Sequence, residues 1–280
     1  MKSIGIVIVN YRNDAQTQRF VREEVSRIQL PYRLVVVDNG ASEAEAKALE
    51  DRIGHPVLAH ANDGFAIGNN AGMAYLTARY ELEYLLFTNT DIHLAGDGVV
   101  EALVRKMEED PRIGIIGPEV VGLDGKRQSP EPYQGLWDRY VWMYLSTPFL
   151  PKEKKARRFA LDYSARAEEG FHYKVMGSFF LCRTKDLAAV GGFDPHTFLY
   201  AEEPILSERM AGIGKGVYFL PSVQVIHAHG ATIRSHYSQR QSALMRFDSD
   251  AYYYRTYKAY PAWSIGLARL FYRLILRLKR

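Results

Sequence analysis

Ile4-Gly5-Ile6-Val7-Ile8-Val9 is an unbroken apolar run that stops abruptly at Asn10-Tyr11-Arg12-Asn13-Asp14. Alternating polarity would mark a strand with one wet face. A run without alternation predicts a parallel strand covered on both faces. The polar turn leads into a helical stretch with Phe20, Val21 and Val25 on its apolar positions. The unit then repeats. Leu34-Val35-Val36-Val37 ends at Asp38-Asn39-Gly40, and Ser42 with Glu45 has the spacing of a capping box at the next helix start. Val57-Leu58-Ala59 precedes a glycine-rich turn and a helix to about Arg79, and Tyr84-Leu85-Leu86-Phe87 ends at Thr88-Asn89-Thr90-Asp91. A helix over 98–109 then leads to a fifth strand over 113–117. Strand and helix in alternation predict an α/β fold built on a parallel sheet with right-handed crossovers.

Ligands of such sheets bind outside the carboxyl ends of the strands. Asn10 and Tyr11, Asp38, Asp63 and Gly64, and Asp91 all fall at those ends, which predicts a polar ligand site along one rim. Asp91 offers the oxygen that a hard divalent cation takes together with substrate phosphates, with Asn89 two residues earlier on the same strand face. A turn-forming Asn/Asp pair is the plainer reading of those two. His227 ends the run Val223-Gln224-Val225-Ile226 and begins His-Ala-His with His229. Without a nearby cysteine a zinc site is disfavoured. His227 joining Asp91 around Mn²⁺ or Mg²⁺ and a diphosphate is the sharper reading, against a structural His that ends a strand. Asp63-Gly64-Phe65-Ala66-Ile67-Gly68-Asn69-Asn70 has neither the Walker Lys-Ser/Thr nor the Rossmann glycine spacing, so its glycines suit close approach of the backbone to a base or ribose. Phe198-Leu199-Tyr200-Ala201-Glu202-Glu203 runs into Pro204, a residue that suits the first turn of a helix. Adjacent residues do not share a helix face, so one Glu of the pair faces a given reacting atom. Acidic residues that merely complement the helix dipole are the alternative.

With 280 residues, 47% hydrophobic and 24% charged, the chain is globular and long enough for one large domain or two small ones. Its one cysteine, Cys182, lies in an apolar run and reads as a buried small hydrophobe in a reducing, cytoplasmic setting. Met1 leads straight into a strand, which argues against a signal peptide, and no apolar stretch reaches the ~20 residues that span a bilayer. Basic residues cluster at Lys152, Lys154, Lys155, Arg157 and Arg158, but no zinc-ligand spacing or basic-plus-heptad pattern points to nucleic acid. Residues 128–170 read as an inserted, partly helical region near the rim. In the tail, Arg269, Arg273 and Arg277 recur every four residues and Arg280 follows, among Leu267, Leu270, Phe271, Leu274, Ile275 and Leu278. That pattern fits a docked terminal helix with a solvated basic face, or a basic amphipathic helix on an anionic membrane at the inner face of the cell.

Taken in order, Ile6–Arg12, Val35–Gly40, Gly64-Phe65 with Gly68–Gly72, Thr88–Asp91, Gly177–Leu181, Gly191–Asp194, Phe198–Glu203 and Val225–His227 resemble the family-2 glycosyltransferases. These are inverting nucleotide-sugar enzymes, and the likeness is to their rhamnosyltransferase-like branch. The resemblance implies a GT-A fold, a Rossmann-like mixed and mainly parallel sheet flanked by helices. The resembling segments cover residues 4 to about 232, and the expected domain spans 1–250, with a nucleotide-sugar half over 1–118 and an acceptor half over 119–250, followed by the helical tail 251–280. It implies that Asp38 meets the nucleotide base, and that Asn10, Tyr11, Arg12, Asp63, Gly64, Asn69, Asn89, Thr90, Gly177 and Ser178 belong to the substrate site. It implies Asp91 and His227 as ligands of Mn²⁺ or Mg²⁺, with Asn89 where the family's metal-binding element has its first acid. Glu203 corresponds to the general base, with Glu202 as its alternative because Ile205 stands where the family often has a further acid. The implied donor is dTDP-rhamnose or a UDP-sugar, and the implied acceptor is a hydroxyl of a glycan or polyprenyl-linked glycan in surface polysaccharide synthesis. A homodimer is admitted as a further partnership. Two other readings stand beside this one. A sugar nucleotidyltransferase lacks support because no glycine-rich basic loop follows the first strand. A non-catalytic nucleotide-sugar-binding protein is suggested by Asn89 and Ile205.

Overall fold

The computed structural model describes residues 3–149, 167–228 and 237–278. His229, the basic cluster at 152–158 and Arg280 lie outside them. The element order begins β1 (Ile4–Asn10), α1 (Asp14–Glu23), β2 (Tyr32–Asn39), α2 (Glu43–Ile53), β3 (Val57–His60), α3 (Phe65–Thr77), β4 (Tyr84–Thr88), β5 (Ile92–Leu94), α4 (Val99–Glu109) and β6 (Ile113–Gly122). A helical stretch then runs over 138–149 and includes α5 (Met143–Ser146). It is followed by β7 (Gly170–His172), β8 (Phe179–Arg183), α6 (Thr184–Ala189), α7 (Glu202–Gly212), β9 (Gly216–His227), α8 (Gln239–Tyr257) and α9 (Ala262–Leu278).

The strands form one sheet in the order β3-β2-β1-β4-β8-β6-β9-β5, with β7 on the free side of β9. β3, β2, β1 and β4 are parallel, as the apolar runs predict. β8 is antiparallel to both β4 and β6, and β9 is parallel to β6. The sheet is therefore mixed rather than wholly parallel. β8 fits the middle of it because Phe179 and Leu181 face one core while Phe180 and Cys182 face the other. Both faces of the sheet are covered in this way. Ile4, Ile6, Ile8, Leu34, Val36 and Leu86 pack against α1, α2 and α4 through Phe20, Leu49, Leu103 and Met107. Val7, Val35, Leu85 and Phe87 pack against α3, α6 and α7 through Leu76, Leu187, Leu206 and Met210. Each such side chain contributes roughly 1.5–3 kcal/mol on burial.

Two three-residue strands, β5 and β7, are not marked by the sequence pattern. The apolar segments around Pro221 belong to one strand, β9, whose pairing with β6 slips from Pro118/Leu220 to Glu119/Gln224. The slip takes Pro221, which has no N–H to donate, out of the ladder. Ser42 and Glu45 form the expected capping box, each side chain accepting from the other's backbone N–H.

Region 128–149 does not stand apart as an insert. Leu136, Tyr140 and Val141 share a third core with Ala201 and Ile205, with Phe247 and Tyr254 of α8, and with Ile265 and Tyr272 of α9. The C-terminal helices are thereby packed against the beginning of α7, which carries the two adjacent glutamates.

The loop leading to α7 is held by Asp194. This buried carboxylate accepts hydrogen bonds from Tyr257 (2.6 Å), Tyr252 (3.0 Å) and the His196 backbone N–H (3.0 Å), and lies 3.3 Å from Arg209. Burial opposes its ionisation, but these donors outweigh it and hold its pKa down at about 2. Replacing Asp194 with Ala removes the acceptor and leaves Arg209 without this carboxylate. Urea unfolding at pH 7 is expected to show a loss of about 2–4 kcal/mol.

Candidate active site

The carboxyl ends of β1, β2 and β4, with the segments beside them, bring several of the sequence-predicted residues together. Asn10 and Asp38 are paired in register on neighbouring strands. Asn10 Nδ2 donates to Asp38 Oδ1 at 2.9 Å and to Asp14 Oδ1 at 3.0 Å, while its own Oδ1 accepts from Thr17 Oγ1. Burial raises the Asp38 pKa to about 6, the nearby charge of Asp14 adds to the shift, and the Asn10 hydrogen bond opposes it. Tyr11 lies alongside Gly40, and the exposed Arg12 sits 5.3 Å from the centre of the Tyr11 ring. Asn39 Nδ2 donates to the Gly64 carbonyl, so the end of β2 is tied to the turn that opens α3. Gly64 has φ 115°, and a Cβ there would lie 2.5 Å from the Phe198 carbonyl oxygen, so only glycine suits the position. The Phe65 N–H donates to that same carbonyl at 2.8 Å. The turn that opens α3 and the segment leading to Glu202 are thus in direct contact.

Asp63 is exposed beside this turn. Asn69 is buried within α3 with its Nδ2 on the Phe65 carbonyl, an assignment of its amide to its own helix rather than to the rim. Its neighbour Asn70 makes the longer link, with Nδ2 donating to the Phe193 carbonyl and Oδ1 accepting the Phe193 N–H.

Beyond β4, Asn89 donates its backbone N–H to the Ser178 carbonyl at 2.9 Å, and Thr90 and Asp91 follow, partly exposed. Asp91 Oδ1 is 3.3 Å from His227 Nε2, where β5 pairs with the end of β9. His227 is buried, and its Nδ1 donates to Gln128 Oε1 at 2.9 Å. That bond turns Nε2 toward Asp91. Gln128 is a residue the sequence reading passed over, since it lies a hundred positions from His227 in a stretch without periodicity.

The two adjacent glutamates are held differently. Tyr200 (φ 75°) and Ala201 (φ 67°) are both left-handed, a conformation costing about 1–3 kcal/mol per non-glycine residue. The turn is held by Ser249 Oγ, which donates to the Leu199 carbonyl at 2.7 Å, and by Arg246 stacked 3.9 Å over the Tyr200 ring. It delivers Glu202 and Glu203 as the first two residues of α7, with Pro204 next in the first turn. Glu202 is 7% exposed, and among the described residues its Oε1 has no hydrogen-bond partner. Burial and the neighbouring Glu203 charge push its pKa up to about 8. Glu203 is less buried and accepts the Gly177 N–H through Oε1 at 3.1 Å. A Cβ at Gly177 would fall 2.3 Å from that oxygen, so a side chain there would displace the Glu203 carboxylate. Glu203 therefore lies against the Gly177-Ser178 segment whose next carbonyl binds Asn89, while Glu202 faces the protein interior.

Asp91 and His227 supply one carboxylate oxygen and one imidazole nitrogen 3.3 Å apart, close enough for one ion to touch both. Among the described residues no group of three or more His, Cys, Asp and Glu side chains is placed to hold a metal. A two-ligand site fits a hard cation that takes its remaining oxygens from a diphosphate and water.

A doubly covered, mixed α/β sheet with acidic side chains along its strand ends and a carboxylate opposite them is the architecture of a GT-A glycosyltransferase. The Glycosyl transferase family 2 model matches residues 5–171, well over half of the chain, and the chain belongs to that family. It is 24% identical over 265 residues to N-acetylglucosaminyl-diphospho-decaprenol L-rhamnosyltransferase of Mycobacterium tuberculosis, covering 88% of this chain and 84% of that one. It is also 24% identical over 244 residues to Rhamnosyltransferase WbbL of Escherichia coli (strain K12), covering 84% and 87%. Among solved structures it resembles GalNAc-T7 with UDP, GalNAc and Mn²⁺ at a TM-score of 0.57 and 16% identity, over 81% of this chain and 44% of that one.

The folded chain keeps the Glu202 proton to about pH 8, whereas the unfolded chain releases it near 4.5. Between those values each rise in pH favours the unfolded state. Glu202→Gln removes this slope. Urea unfolding is expected to show the variant gaining on the wild type by up to about 1.4 kcal/mol per pH unit between pH 5 and pH 8.

Proposed function

We propose that the chain transfers a sugar, with inversion, from a nucleoside-diphospho-sugar to a hydroxyl of a lipid-linked glycan. The observation that carries this reading is the placement of Glu203, held by the Gly177 N–H beside the Ser178–Asn89 contact at the end of β4. An acceptor hydroxyl is a weak nucleophile until a carboxylate within hydrogen-bond reach takes its proton. Glu203 fills that role, and its pairing with the backbone N–H fixes Oε1. Glu202, whose pKa burial and the neighbouring Glu203 push up to about 8, keeps its own proton. Attack on the anomeric carbon from the side opposite the diphosphate inverts it, and no second carboxylate nucleophile is needed.

On the donor side, Asp38, fixed by Asn10, accepts an imide N–H of a uracil or thymine base, and Tyr11 lies beside it. Asn39 and Gly64 shape the wall between base and sugar. Asp91 and His227 would hold Mn²⁺ or Mg²⁺, which would supply positive charge to stabilise a departing diphosphate. Gln128 keeps His227 turned to that task. The two rhamnosyltransferase relatives support rhamnose as the sugar, and the Mycobacterium tuberculosis one supports a polyprenyl diphosphate-linked sugar as the acceptor. Such an acceptor places the reaction at the cytoplasmic side of a membrane, in surface polysaccharide assembly.

The reading is tested by incubating the chain with dTDP-rhamnose or UDP-sugars, Mn²⁺ or Mg²⁺, and a polyprenyl diphosphate-linked N-acetylglucosamine. Transfer to the lipid is expected, and Asp91→Ala is expected to lower it by about 10²-fold or more. No transfer from any donor, with nucleotide binding intact, would favour a binding protein instead. The Asp38 pKa near 6 adds a pH signature. A protonated Asp38 loses one acceptor for the imide, so wild-type nucleotide affinity relative to Asp38→Asn is expected to fall between pH 7 and pH 5 in calorimetric titrations.

A further inference from the structure

α9 is amphipathic in an unusual sense, because its second apolar face is turned away from the protein. Ser264, Ile265, Ala268 and Tyr272 dock it onto the third core. On the opposite side Trp263, Leu267, Leu270, Leu274 and Leu278 recur at steps of three and four, and each is between 48% and 81% exposed. The neighbouring segment 138–149, joined to α9 through the Tyr140 and Tyr144 rings on Tyr272, exposes three more large apolar residues. These are Trp142 (55%), Leu145 (43%) and Phe149 (88%). Eight large apolar side chains exposed on two packed helices exceed the scattered apolar residues of an ordinary surface.

Along α9 itself every charged residue is an arginine. Arg269 is spent within the protein, paired with Asp248 at 2.7 Å. Arg273 and Arg277 are exposed along the flank of the apolar stripe. Residues 251–280 contain no Asp or Glu. Among the described residues no helix is long and apolar enough to cross a membrane. A helix lying in the plane of a bilayer uses the features found here: an apolar face at the acyl boundary, Trp at the headgroup level and cations against anionic lipid. A second copy of the chain fits less well, since an antiparallel two-fold contact through this face would bring the Arg273 and Arg277 flanks of both copies to the same side.

We propose that α9 and the 138–149 segment together form a membrane-docking surface for anionic phospholipid, lying in the interface without spanning it. The surface stands on the two helices alone. Its use in presenting a lipid-linked acceptor rests on the function proposed above. Because the helices share a core with Ala201 and Ile205, docking sets the height of Glu203 above the bilayer through packed side chains.

The experiment is flotation of the full-length chain with phosphatidylcholine vesicles, with and without phosphatidylglycerol, alongside three exposed-site variants. Wild type is expected to float with the anionic vesicles. Leu270→Glu/Leu274→Glu is expected to lower the bound fraction about tenfold or more, and Trp142→Ser/Phe149→Ser to lower it severalfold. Arg273→Glu/Arg277→Glu is expected to abolish the preference for anionic vesicles. Unchanged melting temperatures and unchanged transfer to a water-soluble acceptor show that each variant is folded. Undiminished flotation of the Leu variant would overturn the proposal. So would a wild-type dimer that this variant dissociates, since a second copy would then occupy the face. Flotation needs no turnover, so a failure of the proposed transfer reaction leaves this result separately readable.

Discussion

Two neighbouring carboxylates cannot both carry charge in a buried site without a strong opposing cost, and the chain resolves this by giving them different surroundings. Glu202 goes inward, where burial and its neighbour favour the proton. Glu203 goes to the Gly177 N–H, whose hydrogen bond it accepts through Oε1. The division depends on three backbone requirements: two left-handed residues before α7, the absence of a side chain at Gly177, and a loop clamped by Asp194. Each costs free energy or restricts sequence, and together they aim one carboxylate at the strand ends.

The sheet topology supplies the other half of the site. The parallel strands β1, β2 and β4 bring Asn10, Asp38 and Asn89 to one rim. β8, running the other way, begins beside that rim, so Gly177 and Ser178 enter next to Asn89. The return of β9 then carries His227 to Asp91. The proposed base contact and metal ligation thus fall to residues whose spacing is fixed by hydrogen-bonded strands. The strained loop and the third core attach Glu202 and Glu203 to that frame.

Much of this was legible in the sequence. The uninterrupted apolar runs of β1, β2 and β4 report burial on both faces, and Ser42 and Glu45 announce their capping box. The polar strand ends mark the rim, and residue spacing pointed to the family. Other features depend on partners far away in the chain. The direction of β8 cannot be read from an apolar run, which looks the same either way. β5 and β7 are too short to show a period. Gln128 has no local signal, because its partner His227 is distant. The separate roles open to Glu202 and Glu203 depend on surroundings built by Gly177, Ala201 and the third core. The tail's basic spacing was visible, but Arg269 proves to be paired with Asp248, and the more telling outward row from Trp263 to Leu278 appears once the docked face is known.

The central claim is that one glutamate of the pair works on the acceptor while the other stays protonated and silent. Its most direct test compares kcat and nucleotide affinity for Glu203→Gln and Glu202→Gln under identical conditions. The account predicts that Glu203→Gln lowers kcat by about 10²–10⁴-fold with nucleotide affinity retained, and that Glu202→Gln stays within about tenfold of wild type. An equal loss in both variants, or the larger loss in Glu202→Gln, would contradict it.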